Sequence, residues 1–186
     1  QKKERGTNVE ATLRWQSEAL EAGVNLFVAD FRDFIYLTPG ETMHDGELTD
    51  EVDELPVYLF QQDGAEFTGG EIYATWRVSS GLFAADWETE ACLDFVDGSL
   101  DSGGNVPLLP PMTLHTSTTA SWDHFSLGGS LTHAAEQDDT GLGELPTDSY
   151  TTIGLRAAVD LASFGYGREG TELFVDGRNL TDEEVR

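Results

Sequence analysis

The sequence predicts an all-β protein, in which long antiparallel strands form part of a transmembrane β-barrel. Three observations lead to this prediction. Apolar and polar side chains alternate along most of the 186 residues. The alternating runs exceed the ~5–6 residues usual for strands. Finally, the connections between them are short at one end and long at the other, which is typical of an outer-membrane barrel with an apolar face toward lipid and a polar face toward an aqueous lumen.

The composition excludes several classes of protein. There are 35 acidic residues against 10 Lys and Arg, giving a formal charge of −25. A nucleic-acid binder needs clustered cations, so that class is excluded. Hydrophobic residues make up 39% of the chain and are spread along it, which argues against disorder. The single cysteine, Cys92, excludes an internal disulfide and a site built from several cysteines.

About eight strands are predicted, and period two identifies most of them. In the first, Val9 and Leu13 share one face while Glu10 and Thr12 share the other. The second alternates less regularly. No helix is expected, apart from a possible turn in "QSEALEAG". The predicted strands are 8–15, 24–37, 57–78, 86–95, 112–122, 125–136, 151–161 and 171–180.

The connections and the faces of the strands give the orientation. Short turns are expected at 79–81 and 123–124, and long polar loops at 38–56, 97–111 and 137–149. Acids on one face of a strand are costly against a dry core but not in a wet lumen. Four such acids share a face of the fourth strand: Asp86, Glu88, Glu90 and Asp94. Aromatic residues near strand ends suggest interfacial girdles, with packing in the core of a soluble β protein as the alternative: Trp15, Trp76, Trp87, Trp122 and Tyr150.

Four stretches, in order along the chain, resemble the C-terminal half of a TonB-dependent outer-membrane receptor. They are "VNLFVADFRDFIYL" (24–37), "LPVYLFQQDGAEFTGGEIYATW" (55–76), the proline-rich opening of "NVPLLPPMTLHTSTTASW" (105–122) and "ELFVDGRNLTDEEVR" (172–186). The second stretch carries the family signature at Ala65, Phe67, Gly69 and Glu71. The last carries Asn179, Leu180, Thr181 and Asp182.

The resemblance implies a 22-stranded barrel with an N-terminal plug, of which residues 1–186 form a barrel domain that is incomplete at both ends and lacks the plug and the final strand. It implies a bacterial outer-membrane receptor that imports a metal chelate (siderophore, haem or zinc) or a vitamin. The expected partners are the TonB complex acting through the plug, the cargo, membrane lipid and lipopolysaccharide. No nucleic acid partner and no resident cofactor are expected.

Candidate ligand-binding residues lie in one loop and on one strand. His44, Asp45 and Glu47 combine imidazole with carboxylate, which suits zinc or a similar ion. A solvated acidic loop is the plainer interpretation. His115 is expected to face the lumen, where it either meets cargo or forms a hydrogen bond. Gly69 is expected to relieve crowding, Glu71 to accept hydrogen bonds or be hydrated, and Asn179 and Asp182 to form an Asx-type turn.

Other classes of function carry less support. Glu88 and Glu90 have a spacing compatible with a glycosidase, but acids occur throughout the chain and no nucleophile elbow is present, so no enzyme is predicted. A secreted acidic β-sandwich or β-solenoid that binds glycans or cell surfaces is the main alternative, and a passive porin is another. In a sandwich, the apolar side chains would meet between two stacked layers.

Overall fold

A computed structural model describes residues 2–45 and 47–185 of the chain. Its strands are β1 (Arg5–Gln16), β2 (Leu20–Pro39), β3 (Thr42–His44), β4 (Glu47–Thr49), β5 (Glu51–Val52), β6 (Leu55–Pro56), β7 (Tyr58–Val78), β8 (Asp86–Leu100), β9 (Thr113–Ser121), β10 (Phe125–Ala134), β11 (Tyr150–Asp160) and β12 (Glu172–Gly177). Eight of them form one antiparallel sheet in the order β1-β2-β7-β8-β9-β10-β11-β12. No described helix has the length and apolar character needed to cross a bilayer.

The prediction of about eight long antiparallel strands is confirmed, although the boundaries differ. β2 and β7 run for 20 and 21 residues, and β8 continues to Leu100 inside the predicted loop 97–111. The loop between β2 and β7 is not featureless, because β3 pairs with β4 and β5 pairs with β6. The "QSEALEAG" stretch is a tight turn in which the Ser17 amide donates to the Leu20 carbonyl at 2.7 Å.

The connections are mostly asymmetric, as predicted. The loops 40–57, 101–112 and 135–149 lie at one end of the sheet, and the connections 17–19, 79–85 and 122–124 lie at the other. The connection 161–171 departs from the pattern, because it is long although it lies at the short-turn end. It contains a 3₁₀ turn, Ala162–Phe164.

The register aligns like side chains across strands. One row of directly opposed residues is apolar: Leu13, Val24, Ile72, Leu93 and Leu114. The adjacent row, one residue along each strand, is polar: Thr12, Asn25, Glu71, Asp94 and Thr113. Since successive side chains of a strand point to opposite faces, these rows define an apolar face and a polar face of the same sheet.

The apolar face is not covered by a second layer of the described chain. Its side chains are well exposed, with Leu13 at 73% and Leu155 at 58%. Buried hydrophobic residues in the described part of the chain are small, and no large side chain is fully buried. The sandwich alternative is therefore wrong. The solenoid alternative is wrong as well, because the sheet is a single antiparallel layer rather than a stack of parallel coils.

A β-bulge explains the irregular alternation of the second predicted strand. The register between β2 and β7 shifts between Phe31 and Phe34, and Asp33 adopts a left-handed conformation with φ 55°. The shift returns Phe34 to the polar face, where its ring lies 5.6 Å from Phe31 and 5.3 Å from Phe67. Tyr36 stacks on Phe34 at 6.4 Å. These four rings form a polar-face aromatic cluster at the loop-bearing end.

The tryptophans gather at the short-turn end of the sheet. Trp15, Trp76 and Trp87 lie on the apolar face, opposite Ala22, Leu20 and Ala120. Trp87 donates its indole N–H to the Leu82 carbonyl at 2.9 Å, and Trp122 donates to the Phe83 carbonyl at 3.1 Å. Rings with one apolar side and a satisfied N–H suit a membrane interface. Tyr150, at the loop-bearing end, does not fit a girdle, because it lies on the polar face opposite Ala134.

Two glycines on the apolar face allow a matched test of crowding. A Cβ added at Gly70 would lie 2.5 Å from the Asn25 carbonyl oxygen and 2.7 Å from Leu26 Cδ2, whereas at Gly129 the nearest atom would be Leu155 Cδ2 at 3.7 Å. We expect Gly70→Ala to lower the free energy of unfolding by about 1–3 kcal/mol through overpacking. Gly129→Ala is expected to be neutral or slightly stabilising. Denaturant unfolding followed by tryptophan fluorescence measures both, and equal effects would contradict the explanation.

Candidate functional site

The loop-borne candidates lie together at the tip of a small hairpin. His44 and Glu47 are directly opposed in the β3–β4 pair, and Asp45 lies in the turn with φ 50°. The His44 Nε2 is 3.7 Å from an Asp45 carboxylate oxygen. Both side chains are exposed, His44 at 46% and Asp45 at 94%. The hairpin therefore brings the three residues to one place, but in open water.

His115 lies on the polar face of β9, as the alternation predicts. It is opposite Thr132 of β10 on one side and Cys92 of β8 on the other. Its Nδ1 forms a hydrogen bond with the Thr132 hydroxyl at 2.9 Å. Among the described residues, Nε2 has no hydrogen-bond partner, so this nitrogen is available to a ligand.

A groove of about 470 Å³ runs along the polar face from His115 toward β12. Hydroxyl groups dominate its wall: Ser117, Thr119, Ser126, Ser130, Thr132 and Thr152. The charge of Arg156 in this groove is offset, since its guanidinium donates to Glu172 at 2.8 Å and lies 4.1 Å above the ring of Phe174. The groove thus offers many neutral hydrogen-bonding groups and little net positive charge.

The signature on β7 maps onto the polar face. Ala65, Phe67, Gly69 and Glu71 are spaced by two, so they share this face. Ala65 is 2% exposed, and Phe67 belongs to the polar-face aromatic cluster. A Cβ at Gly69 would lie 2.7 Å from the Phe95 carbonyl oxygen, so the neighbouring backbone leaves no space for a side chain. Glu71 is exposed, opposite Asn25 and Asp94.

The segment after β12 is fixed to β11 by its own polar groups. The Asn179 side-chain oxygen accepts from the Glu183 amide at 3.0 Å, and Asn179 has φ 47°. Leu180 donates its amide to the Ile153 carbonyl at 2.9 Å, and the Thr181 hydroxyl donates to the Thr151 carbonyl at 3.2 Å. Asp182 completes the turn with its amide on the Asn179 carbonyl at 3.1 Å. This geometry is that of a structural turn rather than of a ligand site.

One group of metal-ligating side chains was missed from the sequence. Ligand atoms of Glu71, Cys92 and Asp94 all lie within 4.8 Å of one another, and no other group of three or more such residues is found in the described chain. His115 is opposite Cys92 on the next strand. The spacing of Cys92 and Asp94 by two residues was visible in the sequence. Glu71, however, joins them only through the register of β7 with β8.

Comparisons with known proteins agree with this architecture. The family model described as "TonB dependent receptor-like, beta-barrel" matches residues 2–180. A solved structure named "Copper transporter OprC" superposes with a TM-score of 0.78 at 20% sequence identity. The match covers 97% of this chain and 26% of that chain, so the chain spans about a quarter of that structure. No curated protein matches the sequence.

Asp63, at the loop-bearing end of β7, anchors the loop 101–112. Its carboxylate accepts hydrogen bonds from the Ser102 amide at 2.9 Å and from the Gly64 amide at 2.8 Å. The hydrogen bonds from Ser102 are the main cause that lowers the pKa of Asp63 below its ordinary value of 3.8. Desolvation opposes them, and the weaker bond from the Gly64 amide adds to the lowering. A carboxyl group with a lowered folded-state pKa stabilises the structure above its unfolded pKa, and this contribution is lost as the pH falls through the folded value.

We therefore expect the loop to loosen on acidification. The protection factors of the Gly64 and Ser102 amides, measured by hydrogen exchange, should be constant at neutral pH and fall as the pH drops below 3.8. Asp63→Ala should lower them already at neutral pH. Asp123→Ala, in a turn at the opposite end of the sheet, is the control. Protection that survives both acid and Asp63→Ala would show that the loop is held by other contacts.

Proposed function

The chain belongs to the TonB-dependent receptor β-barrel family, and on that premise we propose that it forms part of the wall of a bacterial outer-membrane transporter. The family comprises receptors and transporters rather than enzymes, in agreement with the prediction of no catalytic role. The proposed cargo is a metal ion, a metal chelate such as a siderophore or haem, or a vitamin. Zinc was suggested by the sequence, and copper is added by the name of the similar solved structure.

The observation that carries the proposal is the height of the apolar band. On β2 the apolar face runs Leu20, Ala22, Val24, Leu26 and Val28, and Asp30 ends it. At ~3.4 Å per residue this band is about 27 Å long along the strand. A strand tilt of ~40° reduces it to about 21 Å of bilayer, close to the ~25 Å apolar band of outer-membrane barrels. Acids also end the apolar band on the next two strands, Glu66 on β7 and Asp97 on β8.

The polar face supports a water-filled lumen. Glu10, Glu71, Glu90 and Asp94 carry carboxylates on this face, where hydration makes their charge inexpensive. Glu88 pairs with Arg77 at 2.6 Å. A barrel with a wide lumen can hold such groups together with water and passing cargo.

The loop-bearing end supports capture of cations at the cell surface. Acids dominate the loop 40–57: Glu41, Asp45, Glu47, Asp50, Glu51, Asp53 and Glu54. The negative electrostatic potential of these acids raises the local concentration of cations. We propose that His44, Asp45 and Glu47 make an early contact with the cargo and that His115 makes a later one inside the lumen. The same acids would bind divalent cations that bridge to lipopolysaccharide. TonB would act through a plug that lies outside the described strands.

A pair of consecutive residues on β1 tests the assignment of the faces. Ala11 lies on the apolar face opposite Leu26, and Glu10 lies on the polar face opposite Phe27. We expect Ala11→Arg to lower the free energy of unfolding in lipid vesicles by about 2–4 kcal/mol, because an arginine then faces lipid. Glu10→Arg changes the net charge by more than Ala11→Arg does, but its arginine remains in water. We therefore expect only a small change in the free energy of unfolding. Equal costs for the two variants would show that the apolar face does not meet lipid.

A second prediction tests the transport reaction. Cells lacking the gene for this protein should take up less radiolabelled zinc, copper, iron chelate or cobalamin under limitation, and the intact gene should restore uptake only when TonB is active. The restored protein should be found in the outer-membrane fraction. Restoration that is independent of TonB would instead identify a passive porin. Recovery of the protein from the soluble fraction would overturn the membrane assignment itself.

A further inference from the structure

We propose that Glu71, Cys92 and Asp94, together with His115, form a binding site for a thiophilic transition-metal ion on the polar wall of the sheet. The four residues lie on three adjacent strands, β7, β8 and β9. Glu71 is directly opposite Asp94, and His115 is directly opposite Cys92. We call these four residues the lumen metal site.

The geometry is already close to that of a coordinated ion. In a tetrahedral zinc site with Zn–S of ~2.3 Å and Zn–O of ~2.1 Å, the sulfur and oxygen ligands are separated by about 3.6 Å. The Cys92 thiol donates to the Asp94 carboxylate, which places its sulfur 3.7 and 3.8 Å from the two oxygens. Glu71 joins this group within 4.8 Å. Small side-chain rotations therefore bring a sulfur and two carboxylates around one ion, while the strands hold their backbones in place.

The charge balance of these residues also points to a cation. Two other polar-face acids have cationic partners, Arg77 for Glu88 and Arg156 for Glu172. Among the described residues, neither Glu71 nor Asp94 forms an ion pair. Two carboxylates beside a thiol repel one another when ionised, and a bound cation replaces this repulsion with attraction. The site is therefore locally short of positive charge.

The donor set selects the class of ion. Calcium and magnesium prefer oxygen ligands throughout, whereas a thiolate and an imidazole favour zinc or copper. Cys92 supplies the thiolate, and the His115 Nε2 is left available because Nδ1 is engaged by Thr132. That hydrogen bond also orients the ring, as partners of metal-binding histidines commonly do. The site is thus expected to bind zinc or copper in preference to calcium.

The depth of the lumen metal site in the membrane suggests its function. The row that contains Glu71 and Asp94 is adjacent to the row of Ile72 and Leu93 in the apolar band, so the site is at the depth of the membrane rather than at the loops. The groove that begins at His115 opens beside it. A role as a resting position for an imported metal rests on the proposed transport function, whereas metal binding itself rests on the four side chains alone.

Cobalt(II) provides the test, because a thiolate ligand gives it a charge-transfer absorption that zinc lacks. The complete protein that contains this chain is purified in detergent under reducing conditions and titrated with Co²⁺ in excess Ca²⁺, which occupies sites built from carboxylates alone. We expect a thiolate–cobalt band that Cys92→Ser abolishes and that stoichiometric Zn²⁺ displaces. Glu71→Gln, Asp94→Asn and His115→Ala should each weaken Co²⁺ binding by about 10-fold or more.

Glu90→Gln is the matched control. Glu90 lies on the same face of β8 as Asp94 and at the same spacing from Cys92, but its carboxylate is outside the group of ligand atoms. This variant should bind Co²⁺ as the wild type does. Folding of every variant is checked by its heat-modifiable mobility on gels. A wild type without the band, a band that persists in Cys92→Ser, or an equal loss in Glu90→Gln would each overturn the site.

The outcome is independent of the transport test. Uptake that requires TonB but is unaffected by Cys92→Ser, in a protein without the cobalt band, would refute the lumen metal site and leave the transport function intact. Conversely, a cobalt band in a protein whose uptake does not require TonB would establish the site and refute the transport function.

Discussion

The structure depends on one constraint, which is that a single layer of paired backbone meets two different media. Every side chain of a strand points away from its neighbour, so the register decides which medium each residue meets. A slip of one residue on β8 would move Leu93 to the polar face and Asp94 to the apolar face. The rows of opposed residues remain consistent across the sheet, and this consistency replaces the packed core of a soluble protein.

The exceptions to the alternation are informative because they lie where the medium changes. The bulge at Asp33 comes after the apolar band of β2 has ended, and it brings Phe34 to the same face as Phe31 and Phe67. A Cβ added at Gly98 would lie 3.0 Å from Leu109 of the loop 101–112 and 3.1 Å from the ring of Phe67. This loop therefore packs near the aromatic cluster. Apolar packing on the polar face therefore supports the loops. At the level of the apolar band, by contrast, the sheet keeps one apolar face and one polar face.

The sequence was sufficient for the sheet because period two is a local property. Long alternating runs identified most of the eight strands, and acids spaced by two on β8 identified the polar face. The strands β3 to β6 were missed, since two or three residues carry no measurable period. Tyr150 was assigned to a girdle because it lies at a strand end. Its place in the two-residue alternation of β11 puts its side chain on the polar face instead. Of the candidate ligands, the hairpin residues are local in sequence, whereas Glu71 meets Cys92 only through strand pairing.

The same distinction separates two ways of handling a cation. The acids of the loop 40–57 are exposed, and their attraction acts over distances that salt screens, about 8 Å at physiological ionic strength. Such a surface concentrates any cation and selects poorly. In the proposed lumen metal site, Cys92 and His115 stand on paired strands, so their backbones are held in place before an ion arrives. Their sulfur and nitrogen donors discriminate against calcium and magnesium. In the proposed transporter, unselective attraction at the loops would precede selective donors at the depth of the membrane. An ion would then enter quickly and be recognised only inside the lumen. The alternation of the strands would make this possible, because the sheet that presents apolar side chains on one face fixes the positions of the proposed donors on the other.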